Sequence, residues 1–221
     1  MRKFLGQLFG GNCYLCRGAA HGLLCAACDA DLPRLAPVRC PRCALESPRG
    51  EVCGRCLSEA PHYDATIAVL SYEFPADALV HALKFRGELA LAGLLGGMLS
   101  QKISNDEIDC AIPVPLSAAR LRTRGYNHAA EIARHLPAKP DLALCVRSRD
   151  TPPQMDLPYD ERRRNVRGAF RCTRALAGER VAVVDDVMTT GATLDEIAKV
   201  LKEAGASRVA NWVVARTFPQ S

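Results

Sequence analysis

Residues 180–193, Arg-Val-Ala-Val-Val-Asp-Asp-Val-Met-Thr-Thr-Gly-Ala-Thr, set a short β-branched apolar run directly ahead of two carboxylates and a small-residue turn. The unbroken run 181–184 reads as a strand covered on both faces of a parallel sheet. Beyond Thr193, the apolar residues Leu194, Ile197, Ala198 and Leu201 recur at helical spacing, and Gly205 supplies a stop. The stretch is therefore a strand, a turn and a helix. At such a helix N-terminus the backbone N–H groups of residues 189–193 are able to converge on one anion, which the helix dipole also favours. Gly191 lets the main chain approach closely, and Thr189, Thr190 and Thr193 add hydroxyl donors. Asp185 and Asp186 are acceptors for a pair of vicinal hydroxyls or for a hydrated Mg²⁺. The combination fits a ribose 5-phosphate. The competing readings are a Walker-B-like strand end and a solvated acid pair, but the chain contains no G-x-x-x-x-G-K-[ST], so a nucleotide triphosphatase has no phosphate loop to use.

Working outward, residues 65–72 and 110–114 read as further strands and 209–214 as the closing strand, with the only tryptophan, Trp212. Leu79, Val80 and Leu83, then Leu91, Leu94 and Leu95, form two apolar helical stripes separated by the polar break 84–88. Residues 129–136 form another helical stretch. Strands alternating with helices mean a parallel sheet, with ligands at the carboxyl ends of its strands. Residues 147–167 carry three prolines and many charges, longer than a structureless connection should be unless it has a task.

Eight of the eleven cysteines form four C-x-x-C pairs, Cys13/Cys16, Cys25/Cys28, Cys40/Cys43 and Cys53/Cys56. In a reducing compartment such spacing argues for metal thiolates over disulfides. Two pairs complete one tetrahedral site, so eight ligands suggest two structural Zn²⁺ ions. Sequential pairing is preferred, a crossed arrangement stays open, and redox or Fe–S use is the competing reading. Too few large apolar residues lie between 13 and 56 for that segment to fold without metal, so chelation is expected to melt it while the sheet survives. Cys110, Cys145 and Cys172 stand alone and read as small core side chains.

With 221 residues, 48% hydrophobic and 24% charged, the chain has room for one α/β domain and a small appendage, divided as 1–60 and 61–221. The basic-then-apolar start is too short for a signal peptide and no segment has the roughly 20 apolar residues of a membrane span, so a soluble, cytoplasmic protein without membrane insertion is expected. Residues 116–174 hold 13 basic and 6 acidic side chains, against a net charge of +5 for the whole chain. That concentration suits a polyphosphate or a nucleic-acid backbone, the alternative being a solvated basic face.

The string from Val183 to Thr193 resembles the phosphoribosyl pyrophosphate (PRPP) signature of the type I phosphoribosyltransferases. The resemblance implies that Asp185 and Asp186 hold the ribose hydroxyls and that Met188, Thr189, Thr190, Gly191, Ala192 and Thr193 surround the 5-phosphate. The whole chain is similar to the ComF/GntX family, through Leu83-Lys84-Phe85-Arg86-Gly87, Pro113-Val114-Pro115-Leu116, Arg120-Leu121-Arg122-Thr123-Arg124-Gly125-Tyr126-Asn127, Thr151 with Gln154, and Arg164-Asn165-Val166. It implies a type I phosphoribosyltransferase-like parallel sheet flanked by helices, behind a Cys-rich double zinc ribbon. It further places Arg122 and Arg124 on the pyrophosphate side, Mg²⁺ with PRPP, and a cover loop over 149–167 with Thr151, Gln154, Arg163, Arg164 and Asn165 as its polar candidates; Lys84 and Arg86, in the polar break 84–88, are further cations for the departing pyrophosphate. His128 departs from the pattern, which leads one to expect Gln there; it, His81 and His135 receive no role.

Two functions from different classes follow. One is a transferase of phosphoribosyl to an unknown acceptor, with Asp185 or Asp186 also tuning charge at the sugar. The other is a PRPP-gated binder of single-stranded DNA, working with DNA-uptake proteins, because the resemblance ties ComF-type proteins to natural transformation. With only 5% aromatic residues, Tyr14, Phe85 and Tyr126 are the stacking candidates. A partner-docking ribbon on an inactive fold is a third reading.

Overall fold

The computed structural model describes residues 11–103, 108–149 and 164–218. The Cys-rich segment holds two very short strands, β1 (Gly11–Asn12) and β2 (Ala19–Ala20), and two short helices, α1 (Ala26–Ala30) and α2 (Gly54–Ser58). Then come β3 (Ala65–Ser71), α3 (Ala76–Phe85), α4 (Ala90–Ser100), β4 (Cys110–Pro113), α5 (Ala118–Arg124) and α6 (His128–Ala133). The chain continues through β5 (Cys145–Arg147), β6 (Phe170–Cys172), β7 (Arg180–Met188), α7 (Ala192–Glu203) and β8 (Arg208–Arg216).

β3, β8, β7 and β4, in that order, make a parallel sheet. Each of its two nine-residue central strands has six apolar residues, in keeping with coverage on both faces. On one face Leu79, Leu83, Leu91, Leu95 and Ile132 from α3, α4 and α6 bury Val184, Trp212 and Val214. On the other, Leu194, Ile197 and Leu201 of α7 cover Val181, Val183 and Val213, in the same cluster as Cys40, Cys43 and Cys56. The expected parallel α/β sheet with a Cys-rich N-terminal part is therefore present. The edge of β3 is covered by residues 33–35: Leu35 N–H donates to Val69 O and Ser71 N–H to Pro33 O. No helix among the described residues is long and apolar enough to cross a membrane.

Two departures from the sequence reading have tertiary causes. β7 runs past its apolar stretch to Met188 because β8 continues beside it, Val187 facing Ala215 and Met188 facing Arg216. Asp185 and Asp186 thus lie within the strand's last turn of pairing, not after it. The segment read as irregular is gripped at its base by an antiparallel ribbon, β5 on β6, with Cys145 opposite Cys172. Three-residue strands carry too short a pattern to be seen in sequence. Thr151, Gln154 and Arg163 lie outside the described residues.

Candidate functional site

Local capping places the side chains around Asp186. Ser117 caps α5 by accepting from the Arg120 N–H at 3.3 Å, and Gly125 ends that helix in the left-handed conformation at φ 82°. Asn127 then caps α6, Oδ1 accepting from Ala129 and Ala130 N–H while Nδ2 donates to Val114 O at 3.0 Å. This ties the turn to the end of β4 and fixes Arg124 and His128 on either side of it. The Tyr126 hydroxyl donates to Leu83 O, anchoring the helix end that carries Lys84.

Asp186 is 2% exposed. Its Oδ1 accepts from the Val187 N–H at 2.8 Å, while Oδ2 lies 2.6 Å from Lys84 Nζ and 3.4 Å from His128 Nε2. The contact with Lys84 is a buried ion pair, and Oδ2 itself is shut off from solvent. Arg124 Nη1 approaches His128 Nδ1 to 2.8 Å. A guanidinium only donates, so Nδ1 accepts and the ring hydrogen sits on Nε2, toward Asp186.

Burial alone would push both carboxyls up. For Asp186 the Lys84 ammonium and then His128 outweigh it, and its pKa falls far below the ordinary carboxylate range. For Asp185, burial and the Asp186 charge win, and it is pushed up to about 8. Burial also works against the Lys84 charge, but Asp186 and Asp185 overcome it and raise the pKa. The pair therefore shares one proton near neutrality, as close carboxylates do.

The following turn is built as a cradle. Gly191, at φ 86°, caps α7, whose first residue Ala192 donates its N–H to Thr190 Oγ1 at 3.2 Å. Thr190 and Ala192 are buried, and Met188, 1% exposed, turns its side chain into the core. Of the residues proposed from sequence, Asp185, Asp186, Lys84 and Arg124 come together. Arg124 stacks on Phe85 at 5.0 Å, whereas Arg122 is exposed on α5. Sequence reasoning noted His128 only as a departure from the family pattern and gave it no role, because its contact with Asp186 exists only once the two are folded together. It also missed Arg216 and Arg55, which donate to Met188 O and Thr190 O after the acid pair. Arg216 alone left a trace, as a charge closing an apolar strand.

The cysteines gather as Cys13/Cys16 with Cys25/Cys28, and Cys40/Cys43 with Cys53/Cys56, the sulfurs of each set within 4.8 Å of one another. Cys16 to Cys25 is 3.7 Å and Cys43 to Cys53 is 3.5 Å. Tetrahedral sulfurs about 2.3 Å from a Zn²⁺ stand about 3.8 Å apart, so both sets fit the ion. Without it the thiols cannot all ionise: backbone donation from Cys16 holds Cys13 at about 6, while Cys28 is pushed up to about 12, first by Cys16. A divalent ion resolves that conflict.

Residues 4–57 match the family model described as a double zinc ribbon domain, and residues 121–217 match that of the phosphoribosyl transferase domain. The chain is 33% identical over 223 residues to DNA utilization protein YhgH of Escherichia coli O157:H7, across 94% of this chain and 98% of that one. It belongs to the ComF/GntX family. This ComF/GntX-family chain is also 30% identical over 228 residues to Competence protein F of Haemophilus influenzae (95% and 99% covered). To Competence protein ComFC of Streptococcus pneumoniae it is 23% identical over 203 residues, 87% of each chain.

Proposed function

We propose that this protein binds PRPP and transfers its phosphoribosyl group to an acceptor: the bond from C1 to the pyrophosphate oxygen breaks, pyrophosphate leaves, and the acceptor atom bonds to C1 and gives up its proton. The observation that carries the reading is the buried acid pair, with Lys84 2.6 Å from Asp186 Oδ2, at the head of a turn that opens a helix at the left-handed Gly191. Ribose hydroxyls would donate to Asp186 and Asp185, and the loop amides would take the 5-phosphate. Sugar hydroxyls at Asp186 would release Lys84, leaving its ammonium free for the pyrophosphate beside Arg124. The acid pair offers the hard oxygens that suit Mg²⁺ arriving with PRPP, which would neutralise charge on the leaving group.

A second reading, PRPP-gated handling of single-stranded DNA, is favoured by a different observation. A cavity of about 470 Å³ between the first ribbon and α3 is lined by Tyr14, Arg17, Tyr72, Phe74 and Arg86, with one carboxylate, Asp77, among them. Arg17 stacks on Tyr14 at 5.5 Å and Phe74 is 79% exposed, the aromatic and cationic mixture that stacks bases. The names of the relatives, DNA utilization and competence, point the same way. Under either reading we place the protein in the cytoplasm, where thiols stay reduced, with DNA-uptake proteins as partners in the second.

Isothermal titration with PRPP and Mg²⁺, followed by pyrophosphate release across nucleobases and single-stranded DNA, separates them. Binding with release for one acceptor identifies a transferase and its substrate. Binding without release, together with DNA binding that changes with PRPP, identifies the gated binder. No PRPP binding defeats both.

A further inference from the structure

Two arginines draw back the carbonyls of the turn after β7. Arg216, the last residue of β8 and 1% exposed, donates from Nη1 to Met188 O at 2.8 Å and also to Thr189 O. Its Nε donates to Cys43 O at 3.0 Å. Arg55, on α2 between Cys53 and Cys56, donates from Nη2 to Thr190 O at 3.2 Å. Three successive loop carbonyls are thus held by cations, one standing on the second metal knuckle and the other bonded to it. Bonds from a charged donor are about twice as strong as neutral ones.

In a planar trans peptide the C=O of one residue and the N–H of the next point in opposite directions. With the carbonyls of Met188, Thr189 and Thr190 turned back, the N–H groups of Thr189, Thr190 and Gly191 turn forward. Among the described residues, these three amides donate to no other group. Gly191 locks the arrangement from the side: a Cβ there would stand 2.7 Å from Met188 Cε and 3.2 Å from Tyr63 Oη. Tyr63 belongs to the same buried cluster as Cys43 and Cys56. The first ribbon lies elsewhere, its Tyr14, Leu15, Leu23 and Leu24 resting on the α3 and α4 side of the sheet.

We propose that Arg216 and Arg55 are positioning residues that seat this loop on the second knuckle, so that metal at Cys40/Cys43/Cys53/Cys56, and not at the first site, sets the loop's affinity for a phosphate ester. The inference rests on the sugar-phosphate reading of the loop. An emptied knuckle no longer holds Cys43 O and Arg55 in register. The carbonyls of Thr189 and Thr190 are then free to turn, while Met188 O stays on the Thr217 N–H at 3.1 Å, and the amides of Thr190 and Gly191 must be reordered whenever an anion binds.

The test titrates the full, zinc-loaded chain with ribose 5-phosphate, and with PRPP and Mg²⁺. It compares Arg55→Ala, Arg55→Lys, Cys53→Ser and Cys16→Ser, with zinc counted by elemental mass spectrometry and folding checked by circular dichroism. Arg55→Ala should keep two zinc ions and the native spectrum while binding ribose 5-phosphate about tenfold more weakly, a loss of about 1.4 kcal/mol. Arg55→Lys should recover part of that loss. Cys53→Ser should retain one zinc ion and bind at least as weakly, and Cys16→Ser should retain one and bind like the wild type. Should Cys53→Ser not fold, the two Arg55 variants decide, along with amide exchange at residues 188–193, which should quicken in Arg55→Ala. Wild-type affinity in folded Arg55→Ala, or equal losses from Cys16→Ser and Cys53→Ser, would overturn the inference while leaving the sugar-phosphate reading intact. A wild-type protein that binds neither sugar phosphate overturns both.

Discussion

Lys84 at the end of α3 holds its ammonium 2.6 Å from Asp186 Oδ2 in β7, with side-chain exposures of 21% and 3%. Removing one member of so buried a pair strands the other charge, at a cost of about 3–5 kcal/mol. Lys84→Met should therefore lower urea stability by an amount of that order, and adding Asp186→Asn should restore most of it. A double-mutant cycle measures the coupling; additive losses would show that the two charges do not stabilise each other.

Asp185 and Asp186 impose opposite pH dependences. Asp185 ionises near 4 when unfolded and at about 8 when folded, raised by burial and the Asp186 charge. Between those values the native state holds a proton the unfolded state has lost, so stability falls as pH rises through the window. Asp186, held low by Lys84 and His128 against the upward push of burial, adds stability that is present above about pH 4 and lost in acid. In urea titrations the wild type should lose stability from pH 5 to 8, whereas Asp185→Asn should follow a flatter course and still weaken below pH 4. Parallel slopes from pH 5 to 8 would exclude Asp185 as the titrating group.

His128 offers a sharper comparison because its two nitrogens have different neighbours. A glutamine can accept from Arg124 and donate toward Asp186 much as the imidazole does. His128→Gln should keep stability and ribose 5-phosphate affinity within about threefold, or ~0.6 kcal/mol. His128→Leu leaves the Arg124 and Asp186 groups unmatched and should cost about 1–3 kcal/mol of stability. Equal behaviour of the two variants would mean that the ring only fills space.

Gly191→Ala combines a left-handed backbone with two close contacts, Met188 Cε and Tyr63 Oη. We expect a loss of about 1–3 kcal/mol in unfolding free energy and weaker binding of ribose 5-phosphate. An alanine variant of wild-type stability and affinity would contradict the cradle geometry.

Chelation tests how far the metal supports the rest of the chain. Sequence suggested that the sheet would outlast its ribbons, yet Cys40, Cys43 and Cys56 share a buried cluster with Ile197 and Val213. A strong chelator should therefore lower the melting temperature of the sheet, read from the buried Trp212, as well as unfolding residues 13–56. Unchanged Trp212 fluorescence on melting after complete zinc removal would show that the shared cluster does not depend on metal.

Most of the architecture was legible because it rests on short-range patterns. The apolar run 181–184, the 3.6-residue spacing of Leu194, Ile197 and Leu201, and the C-x-x-C pairs each declare their structure within a dozen residues. β5 and β6 were not legible, since three-residue strands exist only through each other. The same limit hid His128, whose meaning depends on Asp186.

Local order along the chain was enough to set the sheet, the metal ligands and the acid pair ahead of a glycine-bearing turn, because periodicity, thiol spacing and backbone preference act over a few bonds. Folding alone decided that Lys84 pairs with Asp186, that the two carboxyls are pushed in opposite directions, and that Arg55 and Arg216 join the turn after β7 to the second cysteine cluster. Those outcomes depend on burial and on Coulomb and hydrogen-bond distances between residues far apart in the chain, and such distances exist only once the strands and ribbons have met.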